Sequence, residues 1–255
     1  VVLNLSYNWL VAFLIVFARA LGWLVLVPPF SNRATIPPIV TLCLSSGLAL
    51  LIGPSVPIGS LPTTAPTFMA DLVLQVLTGA ALGFIVYVLL TTVTAAGSFL
   101  DQSGGLNLPP SVDPLSLNQT PMLGQLYEQI ATVLLFVSGG YWLLIAGFAR
   151  SFQSPGFTLG ATGRIVQVAV VDLATLFTSS LEIAAPILVV LFGTQIVLAV
   201  LSKAAPQVNV WILGMPIQVF VAIALVAVGI SALPSYVSQL LSRALTDSAY
   251  LFGGR

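Results

Sequence analysis

Lys203-Ala204-Ala205-Pro206-Gln207 stands between two apolar runs, residues 165–202 and 208–233. Proline lacks the N–H that a helical ladder needs, so Pro206 ends whatever helix precedes it. Each flanking run exceeds the about 20 residues that cross a bilayer as a helix. The stretch therefore predicts two antiparallel membrane helices joined by a short turn, a helical hairpin. In hydrocarbon a chain must satisfy its own backbone groups, which leaves helices or closed barrels. Long apolar runs without strand-like alternation select the helix, and the fold class follows: an all-α, polytopic membrane protein.

Composition supports this reading across all 255 residues. Hydrophobic residues make up 58% and charged residues 5%, with a mean hydropathy of +1.10. A soluble domain carries about 25% charged residues, so too little polar surface is present to cover a water-facing globule. Disorder is excluded by the same apolar content. Seven basic and seven acidic residues cancel, which argues against a nucleic-acid partner held through phosphate neutralisation. Histidine is absent and Cys43 is the one cysteine, which removes the commonest general base and the clustered metal ligands. No cofactor and no metal are expected.

Four further apolar stretches precede the hairpin, at 9–30, 37–53, 68–100 and 122–149. The first has no basic residue before Arg19, unlike a secretory signal, and reads as a membrane helix. Breaks fall at 31–38, at 53–66 with Pro54, Pro57, Pro62 and Pro66, at 101–121, and at 151–156. Six plain crossings would place Arg150, Arg164, Arg243 and Arg255 on one side and Arg33 and Lys203 on the other, a weak orientation signal. The 68–100 and 165–202 stretches are longer than the about 25 residues of a tilted span. Gly79, Gly83 and Gly97 interrupt the first, Pro186 and Gly193 the second. They read either as long kinked helices in lipid or as helices packed into a protein assembly. After Pro234, Tyr236, Leu240, Leu241, Leu245 and Phe252 alternate with polar residues, as in an amphipathic interfacial helix.

Three features stand out within this frame. Arg19 lies mid-stretch, where a charge costs about 3 kcal/mol on insertion scales. It reads as snorkelling to a headgroup, as a buried polar contact, or as part of a relay, with Asp71, Asp172 and Glu182 as acidic candidates for its partner. Gly79 and Gly83 form a Gly-x-x-x-Gly pattern that lets helix backbones approach closely, within the chain or at a subunit interface. Residues 101–121 combine Gly104, Gly105, Pro109, Pro110, Pro114 and Pro121 with Asn, Ser and Gln. Such a loop is compact and non-helical, and its backbone must face water or protein. No Gly-x-Ser-x-Gly elbow and no nucleotide-binding Gly-Lys-Ser/Thr loop occurs, so an enzyme is not expected.

Residues 204–217, Ala204-Ala205-Pro206-Gln207 through Trp211 to Gly214-Met215-Pro216-Ile217, closely resemble a hallmark of the FliR family, the R-type export-gate subunits of flagellar and injectisome type III secretion. Gly105-Leu106 followed by Val112-Asp113-Pro114, and Arg19 followed by Pro28, Phe30, Ser31 and Arg33, match in the family's order, so the resemblance covers nearly the whole chain. It implies one FliR-like domain over 1–255, with a P-like helical half over about 1–164 and a Q-like hairpin plus amphipathic helix over about 165–255. The implied partners are P-type and Q-type (FliP-like and FliQ-like) subunits in a helical spiral, a FlhB-like substrate-switch protein, exported polypeptides and inner-membrane lipids. The implied location is the bacterial inner membrane, at a flagellar basal body or injectisome base. The resemblance maps a channel plug onto Gly104, Gly105, Leu106, Asn107, Leu108, Pro109, Pro110, Val112, Asp113, Pro114 and Met122. It maps a partner contact onto Lys203, Pro206, Gln207, Asn209, Gly214 and Pro216. Against this channel subunit stands one other reading, a small-molecule secondary transporter, whose helices would also be broken near the midplane.

Overall fold

The computed structural model describes residues 7–31, 36–56, 65–106, 121–152, 162–207 and 209–251. Among these it is wholly helical: α1 (Tyr7–Leu26), α2 (Pro28–Ser31), α3 (Pro38–Ile52), α4 (Ala65–Ser103), α5 (Met122–Val137), α6 (Gly140–Arg150), α7 (Thr162–Ala204), α8 (Val210–Gly229) and α9 (Leu233–Leu251). Four helical segments among the described residues are long and apolar enough to cross a membrane, and a fifth if α5 and α6 count as one broken span. α3, with 15 residues, is shorter than the about 20 a span needs. The six apolar stretches read from the sequence thus give four or five candidate spans among the described residues.

Two boundaries differ from the sequence reading. The 122–149 stretch is two helices bent by 73°, because Gly139 adopts φ +72 between them and a left-handed residue cannot continue a right-handed helix. The break expected to begin at Asp101 begins three residues later, at Gly104, since α4 runs on to Ser103. The amphipathic helix placed after Pro234 is α9, with Pro234 in its second position, where a missing N–H costs nothing, and a 3-10 turn over Ile230–Ala232 links α8 to α9.

Contacts divide the chain into two units. The first comprises 1–88, 139–173 and 241–255. Its core includes Val16, Ala20, Trp23 and Leu24 of α1 and Leu82, Ile85 and Val86 of α4, all buried. Trp23 stacks on Phe148 of α6 at 4.9 Å, and Phe148 meets Phe152 edge-on at 5.3 Å. The second unit comprises 89–138 and 174–240. There Leu123, Tyr127, Ala131 and Leu135, spaced four apart on α5, are buried, as are Leu90, Val93 and Leu100 of α4 and Ile187 and Leu191 of α7.

The predicted hairpin is present in the second unit. α7 ends at Ala204 and α8 begins at Val210. A Cβ on Gly214 would meet Leu198 at 3.2 Å and one on Gly229 would meet Ile187 at 3.0 Å, so the two arms run antiparallel. Outward positions such as Phe192, Ile196, Phe220 and Val228 are apolar and exposed. Surfaces of this kind demand lipid or protein against them. α9 buries Leu233, Val237, Leu240, Leu241 and Ala244 along one face, with Ser235, Gln239 and Arg243 exposed.

Candidate functional site

Arg19 is 2% exposed in the first unit. Its Nε donates to Gln75 Oε1 at 2.7 Å, and its Nη1 donates to the Ser151 carbonyl at 2.7 Å and to Ser151 Oγ at 2.9 Å. The guanidinium carbon lies 4.1 Å from the centroid of the Phe152 ring. None of Asp71, Asp172 or Glu182 supplies these contacts. Asp71 and Glu182 are exposed, and Asp172 is buried beside Asp247 with its Oδ2 unpaired among the described residues. The charge is compensated differently. Ser151 caps the C-terminus of α6, where unpaired carbonyls and the negative end of the helix dipole favour a cation. An aromatic face adds to this.

Gly79 and Gly83 lie on the α4 face that meets α1. A Cβ on Gly79 would collide with the Arg19 carbonyl oxygen, and one on Gly83 would meet the Trp23 carbonyl oxygen at 2.6 Å. Gly22 answers from α1, where a Cβ would run into the Val76 carbonyl. The close approach suggested by the Gly-x-x-x-Gly spacing is thus occupied by a helix of the same chain.

The second unit holds the two ends of the polar loop. Gly104 is buried, and a Cβ there would meet Ala222 at 2.8 Å. Gly105 turns left-handed at φ +71, beside Gln218 Oε1 of α8, and Leu106 is half-buried. Met122, which opens α5, is 72% exposed. Asn107, Leu108, Pro109, Pro110, Val112, Asp113 and Pro114 lie outside the described residues.

At the hairpin tip Lys203, Pro206, Gln207 and Asn209 are all exposed. Asn209 caps α8, its Oδ1 accepting from the Ile212 N–H at 3.4 Å. Gly214 is buried against Leu198, whereas Pro216, inside α8, faces outward. Among the described residues no three His, Cys, Asp or Glu side chains gather as a metal site would require. Gln75, Ser151 and Asp101 were not singled out as partners from the sequence. A lone carboxylate closing a long apolar run was the one signal available for Asp101.

Residues 10–244 match the family described as bacterial export proteins, family 1. The chain belongs to this family, that of FliR. It is 26% identical to the flagellar biosynthetic protein FliR of Escherichia coli over 92% of its own length and 90% of that protein. Against FliR of Bacillus subtilis it is 25% identical over 87% of both. With the surface presentation of antigens protein SpaR of Shigella flexneri it shares 26% over 76% of both. This FliR-family chain is accordingly a multi-pass inner-membrane protein of a bacterial export apparatus.

Proposed function

We propose that the chain is a channel-forming subunit of a type III protein export gate, which passes unfolded polypeptides across the inner membrane and uses residues 104–121 as the plug. One observation carries the reading: the two ends of that loop meet deep in the second unit, where the Leu123 and Gly124 amides at the start of α5 bond to Asp101 near the end of α4. A polar, Gly- and Pro-rich segment rooted between apolar helices must face protein or water. In a channel it fills the water path.

The reading extends to the hairpin and to assembly. Residues 1–164 act as the P-like half and 165–255 as the Q-like half of one domain. The tip from Lys203 to Asn209 meets a Q-type ring or the FlhB-like switch protein on the cytosolic side. P-type and Q-type subunits cover the exposed apolar arms of α7 and α8. Substrate movement then needs displacement of the loop and no covalent chemistry in this chain.

Extraction with mild detergent, followed by sizing and mass spectrometry, tests the assignment. A gate subunit leaves the membrane in a large hetero-oligomer with P-type and Q-type proteins. Recovery alone or as a homo-oligomer that binds a small solute would instead make it a transporter.

A further inference from the structure

Asp101 is wholly buried near the C-terminal end of α4. Its Oδ1 accepts from the Leu123 N–H and its Oδ2 from the Gly124 N–H, each at 2.9 Å. Both are first-turn amides of α5, which have no acceptor within their own helix. Pro121, the residue at the cap position, makes no side-chain bond to them. The acceptor that a local Ser, Thr, Asp or Asn ordinarily supplies therefore comes from a different helix. A carboxylate suits the place, because the dipole of α5 is positive at this end.

The backbone is shaped for this reach. A Cβ on Gly97 would meet the Leu123 carbonyl oxygen at 2.6 Å, and one on Gly124 would meet Ser98 Oγ at 2.8 Å. Glycine on both helices brings α4 and α5 close enough for the short aspartate side chain to bridge them. On the opposite side of the same residue, the Asp101 carbonyl accepts from the Leu106 N–H at 3.1 Å, closing the left-handed turn at Gly105. Gln195 Nε2 of α7 donates to the Ser103 carbonyl at 3.1 Å and ties this end of α4 to the hairpin.

We infer that Asp101 is the positioning residue of the loop: its backbone holds Leu106, near the start of the segment, and its side chain holds the helix that follows, so one residue fixes both ends. Gln195 makes the clasp sensitive to the hairpin. The consequence for sealing rests on the plug reading above, whereas the clasp itself does not.

The experiment uses the assembled gate, co-expressed with its membrane partners, with Cys43→Ser and with spin labels at Leu106→Cys and Met122→Cys. Wild type, Asp101→Asn and Asp101→Ala are compared by the label-to-label distance distribution and by hydrogen exchange at the Leu123 and Gly124 amides. The clasp predicts a narrow distribution and slow exchange in the wild type. It predicts about tenfold faster exchange in Asp101→Asn, which keeps one acceptor oxygen, and a broadened distribution in Asp101→Ala. Fast exchange at both amides in the unmutated gate overturns the inference. So does an Asp101→Ala gate with an unchanged distribution. If Asp101→Ala fails to assemble, wild-type exchange and the Asn variant decide. Deleting residues 106–112 tests the plug separately: an unchanged resting conductance there removes the seal and leaves the clasp to its own readouts.

Discussion

At Gly79 a single methyl group probes the α1–α4 crossing. The Cβ of alanine would strike the backbone oxygen of Arg19, which cannot rotate away as a side chain can. Overpacking of this kind costs about 1–3 kcal/mol, so Gly79→Ala is expected to lower the thermal midpoint of the purified chain. Gly193, inside α7, has nothing within 4 Å of the same added atom. Gly193→Ala is expected to hold or raise the midpoint, because alanine is favoured over glycine in a helix by about 1 kcal/mol. Equal midpoints for the two variants would contradict the close approach. The Gly-x-x-x-Gly pattern was readable, since small residues four apart share a helix face. The compensation of Arg19 was not. Gln75 and Ser151 lie 56 and 132 residues from it, and the acceptor that matters most is a helix end, which no side-chain pattern announces.

Among the elements, the hairpin was legible because its turn carries its own chemistry. Pro206 follows the last turn of α7 and Asn209 caps α8, both within one short window. The bend between α5 and α6 was hidden in an unbroken apolar run, where Gly139 looked like any small membrane residue. Its φ of +72 is what breaks the helix, and no neighbouring atom would obstruct a side chain there. Gly139→Ala therefore tests conformation alone. A left-handed non-glycine residue costs about 1–2 kcal/mol, and asparagine tolerates that region better. The expected order of thermal midpoints is wild type, then Gly139→Asn, then Gly139→Ala. An alanine variant as stable as the wild type would show that the bend has another cause. Pro234 sits in the first turn of α9, where proline is welcome because the missing N–H has no partner there anyway.

For the whole molecule the decisive lengths are those of α4 and α7, 39 and 43 residues. At 1.5 Å per residue they reach about 60 Å, roughly twice the hydrocarbon thickness of a bilayer. Helices this long, with exposed apolar faces on the α7–α8 hairpin, fit a chain that is finished by partner proteins rather than by lipid alone. Both lengths were visible as overlong apolar runs. What they meant was not, because hydropathy reports that a surface is apolar and is silent about what covers it. The central claim is that residues 104–121 seal a path wide enough for an unfolded polypeptide. Leakage through an open path would dissipate a membrane potential worth about 2.3 kcal/mol per charge for each 100 mV. The direct test is the resting ion conductance of the purified, assembled gate in planar bilayers, with and without deletion of residues 106–112. The account predicts a tight wild-type gate and a markedly leaky deletion with unchanged subunit content. A deletion that assembles fully and stays as tight as the wild type would contradict it.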